Sequence, residues 1–196
     1  MILPPDFYAL PTELVAQELL GKLLVHESPE GITVGRIIET EAYVSNDPAN
    51  HAYRGQTQRN APMFGPAGRS YIYLIYGMHY CFNIVTAPQG VGEAVLIRAL
   101  EPLEGIPLMQ LRRNKVNLSE LTSGPAKLVQ AMGVTLSQNN KDVTSPPLYV
   151  ADQYRSHCAL EKNSFSFIAG PRVGIRVGTD LNLRYLIVPE GRSPLA

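Results

Sequence analysis

The chain has 196 residues, of which 45% are apolar and only 17% are charged, against roughly 25% charged residues in an average soluble domain. This composition excludes an intrinsically disordered chain, and no apolar stretch is long enough to cross a membrane. Lysine and arginine total 17, as do aspartate and glutamate, so the net charge is zero. By itself, that balance argues against a polybasic nucleic-acid-binding protein. The length predicts a single domain over residues 1–196.

The predicted elements mix strands and short helices without a regular strand–helix–strand rhythm. In chain order they are a helix over 12–20, strands over 22–26 and 33–43, a hairpin over 71–76 and 80–86, a strand over 93–100, helices over 106–113 and 125–132, and strands within 171–190 around Gly174 and Gly178. Residues 44–70 are polar and lack periodicity, and a loop that long is usually functional. The pattern predicts an α+β fold.

The zero net charge hides an uneven distribution. Residues 1–41 hold seven acidic residues against Lys22 and Arg36, which leaves residues 42–196 with a net charge of +5. A neutral protein with this asymmetry can still present a positive surface.

The two cysteines, Cys81 and Cys158, exclude a disulfide framework, and neither has the spacing of a zinc ligand. Cys81 lies in an apolar run and is predicted to be a core residue. The amino terminus has no basic segment followed by an apolar one, so we expect no signal peptide and a cytoplasmic location.

Two glutamates on the strand predicted over 33–43 are the first candidates for chemistry. Alternate residues of a regular strand share a face, so Ile37, Glu39, Glu41 and Tyr43 are expected to point together. Their apolar flanks favour a pocket over a solvated surface. Arg98 interrupts another apolar strand, and a buried arginine needs a carboxylate, so we expect Glu39 or Glu41 beside it. The pair is either a structural ion pair or a positioned catalytic one.

The tip of the tyrosine-rich hairpin is the next candidate. Tyr76 and Met78 fall where a large side chain has nothing of its own fold to bury against, which suits insertion between stacked bases. Tyr73 lies three residues before Tyr76 and is expected to point the other way, toward a cavity. His51, in the long loop, has no second histidine or cysteine at metal spacing, so no metal site is predicted.

Five segments, 36–43, 47–64, 71–83, 93–105 and 121–131, carry short motifs that are distinctive together. They include Arg-Ile-Ile-Glu-Thr-Glu-Ala-Tyr, Asp-Pro-Ala-Asn-His, Tyr-Ile-Tyr-Leu-Ile-Tyr-Gly-Met, Arg-Ala-Leu-Glu-Pro-Leu-Glu-Gly and Ser-Gly-Pro-Ala-Lys. In this order they resemble the alkyladenine (3-methyladenine) DNA glycosylase family of the antiparallel-sheet type, not the helix-hairpin-helix type. The resemblance implies a curved antiparallel β-sheet with surrounding short helices and a protruding hairpin.

The resemblance also implies roles for individual residues. Glu41 would activate the attacking water, and Arg98 would help to place it. The base-binding residues would be Tyr43, His51 and Tyr73 as walls and Asn83 as a guard against normal guanine. The DNA-binding residues would be Tyr76 as a wedge with Met78 beside it, and Arg113 and Lys127 on phosphates. The charge distribution adds Arg54 and Arg59 as expected DNA-binding residues.

These roles describe a base-excision repair enzyme that hydrolyses an N-glycosidic bond and leaves an abasic site. The expected substrates are alkylated or deaminated purines of the 3-methyladenine, 7-methylguanine, hypoxanthine and etheno-adenine class, flipped out of duplex DNA. No lysine stands beside Glu41 in the motif, so no lyase step is implied, and no cofactor is expected. We expect a monomer in the bacterial cytoplasm, at the nucleoid, with double-stranded DNA containing damaged purines as its partner and no membrane association.

Two other functions fit part of the pattern. A carbohydrate glycosidase could use Glu39 and Glu41, about 6.6 Å apart along a strand, as its acid and base, although the chain has no tryptophan to stack on sugars. A damage-sensing module without turnover would not need both Glu41 and Arg98.

Near its end the chain departs from the family pattern, being shorter after residues 172–175, so the DNA contacts of residues 176–196 stay open. We expect the amino-terminal acids to lie mostly away from the hairpin. The basic residues expected largely on the hairpin side are Arg54, Arg59, Arg69, Arg113 and Lys127.

Overall fold

The computed structural model describes residues 1–75, 77–161 and 164–188. The helices in these residues are α1 (Pro5–Tyr8), α2 (Thr12–Glu18), α3 (Ile106–Arg113), α4 (Leu118–Leu121) and α5 (Pro125–Met132), with one-turn 3-10 helices at Ala61–Phe64 and Leu136–Gln138. The strands are β1 (Leu23–Ser28), β2 (Gly31–Tyr43), β3 (Ser70–Ile75), β4 (His79–Val85), β5 (Ala94–Glu104), β6 (Leu148–Ala151), β7 (Gln153–Tyr154), β8 (His157–Cys158), β9 (Ser166–Gly170) and β10 (Arg184–Val188).

Eight of the strands form one antiparallel sheet, which confirms the predicted α+β fold. Its main path runs β3-β4-β5-β2-β1-β6, and β10 joins it beside β2 with β9 on its outer side. The long strand β2 pairs with β5 along one edge. On the other edge its first half pairs with β1 and its second half with β10. The second half of β2 is therefore held on both edges, which fixes the backbone that carries the two glutamates.

The expectation that Ile37 shares a face with the glutamates is wrong, because the β2–β5 ladder is irregular between Ile37 and Thr40. The pairing skips Ile38 on β2 and Arg98 on β5. A bulge of this kind changes the alternation of side chains and bends the strand. Ile37 consequently packs in the main hydrophobic core, and Thr40 bonds the carbonyl of Ala16 on α2. Residues 39, 41 and 43 point to the opposite face.

The helices cover one face of the sheet, where α2 and α5 pack on the central strands and α3 packs on α5. Helices α3 and α5 have the predicted bounds because both ends are marked in the sequence. A proline lies in each first turn, and Asn114 and Gly133 adopt left-handed conformations just after the last turns. Helix α2 ends two residues earlier than predicted, with Leu19 as its C-cap. No helix among the described residues is long and apolar enough to span a membrane.

The hairpin of β3 and β4 protrudes, as predicted. Strand β4 pairs with β5 only over residues 83–85, whereas its pairing with β3 continues as far as Ile75 and His79. Gly77 provides the turn with φ of +72°. Tyr76, the expected wedge, lies outside the described residues.

The two long connections differ in how well they were predicted. Residues 44–69 contain one short 3-10 helix and no strand, as expected for a loop. The strands predicted within 171–190 are wrong for residues 171–183, which are irregular, and β10 begins only at Arg184; positions 189–190 lie outside the described residues. The alternating pattern misled because residues 172–178 bond to β2 and to the long loop instead of joining a strand ladder. Strand β9 was not predicted.

Candidate active site

A cavity of about 770 Å³ opens on the face of the sheet opposite α2. Its walls come from the ends of β2 and β5, the β3–β4 hairpin, the loop at 48–51 and the segment 173–177. The residues predicted from sequence that line it are Glu41, Arg98, Tyr43, His51, Tyr73, Asn83 and Arg59. Both predicted catalytic residues and all four predicted base-binding residues therefore meet in one place.

Glu41 is fully buried, and each of its carboxylate oxygens has a donor. Oε1 accepts a hydrogen bond from the backbone N–H of Val173 over 2.8 Å and lies 3.3 Å from Nη1 of Arg98. Oε2 accepts a hydrogen bond from the Tyr43 hydroxyl over 2.8 Å. Hydrogen bonds and a cation directed at a carboxylate favour its charged form. The arrangement is that of a buried carboxylate at a cavity wall, with two hydrogen-bond donors and one guanidinium directed at its oxygens.

Arg98 contacts both carboxylates, where the sequence predicted one or the other. Its Nε donates to Oε1 of Glu39 over 3.0 Å, while Nη1 faces Glu41. Arg98 lies on the same face of β5 as Ala94 and Leu96, which also line the cavity, so its side chain reaches the site. Glu39 also bonds Arg184 of β10 and is not a lining residue of the cavity. The two glutamates therefore differ in surroundings: Glu41 faces the cavity and Glu39 lies behind it.

Tyr43 is fixed from two directions. Its hydroxyl is held by Glu41, and the guanidinium of Arg172 lies 4.7 Å from its ring centroid. Burial, followed by the Glu41 charge, raises the pKa of Tyr43 well above its ordinary value. The hydroxyl therefore stays protonated and acts as a donor to Glu41.

Arg172 and Asp47 form a fully buried ion pair that sequence reasoning did not single out. Arg172 bonds both carboxylate oxygens of Asp47 and also the carbonyl of Ala42 over 3.1 Å. The pair ties the late segment of the chain to the loop that follows β2. Neither residue carried a local signal for this role, because the two are 125 positions apart.

The aromatic wall is built from the hairpin and the long loop. The rings of His51 and Tyr73 meet edge to face, with centroids 4.6 Å apart, and His51 Nδ1 lies 3.0 Å from the Tyr71 hydroxyl. Arg59 lies 5.7 Å from the Tyr73 centroid and donates to the carbonyl of Leu74. Burial raises the pKa of Tyr73 well above its ordinary value, so this hydroxyl also stays protonated.

His51 is neutral at pH 7, although it keeps part of its surface at the mouth of the cavity. Desolvation lowers the pKa of His51 below 6.5, and the nearby Arg59 charge lowers it further. The backbone of His51 is held in place, because Asn60 donates to the His51 carbonyl over 2.8 Å. The wall thus contains aromatic and imidazole surfaces without a positive charge of their own.

Asn83 and Cys81 line the cavity from β4. Asn83 is 4% exposed, and its amide donates to the carbonyl of Tyr71 over 3.0 Å. Cys81 is buried, as predicted, and burial raises the pKa of its thiol.

The residues expected to bind DNA lie outside this wall, with the exception of Arg59. Met78 is 72% exposed at the hairpin turn, and Arg54 is exposed in the long loop. Lys127 is exposed in the first turn of α5, two residues after the cavity residue Pro125. Arg113, at the end of α3, is bonded to the Gln130 side chain. Their common orientation toward DNA stays a prediction.

Within the described ranges, no group of three or more histidine, cysteine, aspartate or glutamate side chains is placed to hold a metal ion.

Comparison with known proteins gives a consistent result. A model of the methylpurine-DNA glycosylase family matches residues 6–190. Three relatives bear the name "Putative 3-methyladenine DNA glycosylase". The one from Methanoculleus marisnigri is 48% identical over 187 residues, 95% of each chain. The one from Carboxydothermus hydrogenoformans is 46% identical over 188 residues, again 95% of each. The one from Chlorobaculum tepidum is 45% identical over 184 residues, 93% of this chain and 85% of its own.

Proposed function

The chain belongs to the methylpurine-DNA glycosylase family and is a DNA N-glycosylase, and we propose that it flips a damaged purine out of duplex DNA into the cavity. Glu41 activates a water molecule there, and that water replaces the purine at the sugar. The product is an abasic site. The enzyme acts as a monomer on double-stranded DNA.

The observation that carries this proposal is the buried, fully bonded carboxylate of Glu41 at the wall of an aromatic cavity. An isolated buried carboxylate would be destabilising, but this one accepts hydrogen bonds from Val173 and Tyr43 and forms an ion pair with Arg98. An anion in this position can take a proton from water and can stabilise positive charge on a sugar. Both are needed for hydrolysis of an N-glycosidic bond.

The reaction balances without a covalent enzyme intermediate. The bond between the sugar and the purine nitrogen breaks, its electron pair leaves with the base, and the sugar becomes oxocarbenium-like. The water oxygen bonds to that carbon, and its proton goes to Glu41. Arg98 is the positioning residue, because it lies within reach of both Glu41 and the cavity.

The tyrosine rings of the cavity are proposed to favour cationic purines. Alkylation at N3 or N7 gives a purine a positive charge, which makes it a better leaving group and attracts it to aromatic faces. Tyr43 and Tyr73 provide such faces, and His51 is neutral at pH 7, so no imidazolium opposes the lesion. We propose 3-methyladenine and 7-methylguanine as the charged substrates and hypoxanthine and etheno-adenine as neutral ones, with Asn83 rejecting normal guanine.

A Schiff-base lyase step is not part of the proposal. None of the described residues that line the cavity is a lysine, so no amine stands beside the sugar carbon. The enzyme is accordingly proposed to be monofunctional.

The carbohydrate glycosidase alternative lacks its second carboxylate. Glu39 does not line the cavity and is bonded to two arginines, Arg98 and Arg184. It is poorly placed to protonate a leaving group. The damage-sensor alternative is incompatible with membership of a family of DNA N-glycosylases.

The proposal is tested with duplexes that carry one lesion each, scored for alkali-sensitive abasic sites. Wild-type protein should release 3-methyladenine or 7-methylguanine and leave undamaged purines in place. Glu41→Gln should stop release, with single-turnover rates reduced at least about a hundredfold, and should still bind a duplex with a stable abasic analogue. Normal rates in that variant would disprove the role of Glu41.

A further inference from the structure

Residues 172–178 form a loop whose base is closed by one buried side chain. Arg172 begins the loop, bonds the buried Asp47 next to the cavity residue Pro48, and reaches the carbonyl of Gly178 at the other end over 3.4 Å. Gly178 has φ of +62°, and a Cβ there would lie 2.8 Å from a carboxylate oxygen of Asp47. Only glycine fits this closure without displacement. The loop is therefore held to the cavity wall at both ends.

The loop presents an apolar edge and one cation to the cavity. Residues 173–177 all line it. Val173 and Val177 are 50% and 49% exposed, and Arg176 between them is exposed as well. The mouth of the cavity therefore combines two partly exposed valines with one exposed guanidinium.

The arginines of the described residues fall into two groups. Six of them have a carboxylate within ion-pair distance, and these are Arg36, Arg98, Arg112, Arg155, Arg172 and Arg184. Five have no such partner among the described residues, and these are Arg54, Arg59, Arg69, Arg113 and Arg176. The first four of the second group are the arginines expected from the charge pattern to face DNA. Arg176 shares their unpaired state and is the one that the sequence did not assign.

We propose that Arg176 binds a phosphate of the DNA strand that carries the flipped nucleotide. A nucleotide whose base occupies the cavity brings its own backbone to the mouth, where Arg176 stands without an ion-pair partner among the residues that the structure describes. A guanidinium binds phosphate oxygens through two parallel N–H donors. This inference rests on the proposed function and deepens it, because it assigns a DNA contact to the segment in which the chain departs from the family pattern.

The test compares three variants on a duplex with a stable abasic analogue, so that no base release is needed. Arg176→Gln should weaken binding about five- to tenfold and lower the slope of log affinity against log salt by about one unit, the value for one phosphate contact. Arg176→Lys should keep most of the slope. The control is Arg155→Gln, which removes the same charge from an arginine that is bonded to Glu104 and does not line the cavity. It should change neither quantity.

A scan with single methylphosphonates then locates the contact. Neutralising one phosphate on the lesion strand should weaken wild-type binding by the same factor as Arg176→Gln and should have no further effect on that variant. The proposal is overturned if Arg176→Gln behaves like Arg155→Gln, or if it stays as sensitive as wild type at every phosphate. Its failure is separable from that of the proposed function, which would show as unchanged binding of the analogue without release of methylated bases.

Discussion

The guanidinium of Arg172 lies 4.7 Å from the ring centroid of Tyr43, and the Arg172 side chain has no exposed surface. Through this contact and the bonds to Asp47, the last part of the chain supports the ring that holds Glu41. The neighbouring Val173 supplies the backbone donor to Glu41 itself. The geometry of the proposed general base therefore depends on residues far from it in sequence.

Removing one partner of the buried Arg172–Asp47 pair should destabilise the folded protein strongly. Asp47→Ala leaves a buried guanidinium without its carboxylate and should lower the free energy of unfolding by about 3–5 kcal/mol. Urea unfolding measures the loss. Glu120→Ala, which breaks the exposed Lys115–Glu120 pair, should lower it by about 1 kcal/mol or less. Equal losses in the two variants would contradict the importance of the buried pair.

Glu39 should affect catalysis through Arg98 and not through contact with substrate. Glu39→Gln loosens the 3.0 Å bond that orients Arg98, and the single-turnover rate should fall about tenfold. Affinity for the abasic-analogue duplex should not change, because Glu39 does not line the cavity. Glu101→Gln alters an exposed glutamate bonded to Arg36 and serves as the control. A loss of rate as large as in Glu41→Gln would instead favour a two-carboxylate mechanism.

Elements with chemical signals at both ends were predictable from the sequence. Helices α3 and α5 have proline in the first turn and a left-handed residue after the last, and their bounds match. The bulge at Ile38 has no such signal, since an extra residue in one strand is defined only by its partner strand. The sequence also does not show which partner a segment will bond, so the alternating residues after position 171 suggested strands. In the structure Arg172 bonds the carbonyl of Ala42, and the backbone N–H of Val173 bonds Glu41.

In the candidate site, the residues that the family resemblance named could be predicted from the sequence. Six of those positions, from Glu41 to Arg98, line one cavity. The supporting residues Asp47 and Arg172 were not found, because a buried ion pair between distant positions leaves no local pattern in the sequence. The ion pairs could not be predicted either, because the net charge does not distinguish arginines that are bonded to carboxylates from those that are free to bind phosphate.

The preference for cationic lesions should depend on pH through His51. Partial desolvation and the charge of Arg59 lower the pKa of His51, so the neutral ring is favoured at pH 7 and gains its proton as the pH falls. The resulting imidazolium would repel 7-methylguanine but not neutral hypoxanthine, and the affinity ratio should fall about tenfold as the ring titrates. Binding is measured with the inactive Glu41→Gln protein.

The variant His51→Gln, made in the same background, should remove this pH dependence. His157→Gln is the matched control, because His157 lies beside Glu104 and away from the cavity. A ratio that still falls in the His51 variant would assign the titration to another group. The same protonation should lower stability at acidic pH, since the unfolded state binds the proton more tightly than the folded one.

The hairpin turn should contribute to lesion capture and not to the chemical step. Met78 is 72% exposed and, with Tyr76, is proposed to fill the space that the flipped base leaves, so Met78→Ala should weaken binding of a lesion duplex about three- to tenfold. Tyr76→Ala should weaken it further. The single-turnover rate at saturating enzyme should change much less in both. Leu111→Ala removes an equally exposed apolar side chain from α3, 78% exposed, and should leave binding unchanged; a matching loss there would show that general surface hydrophobicity, and not the hairpin, holds the DNA.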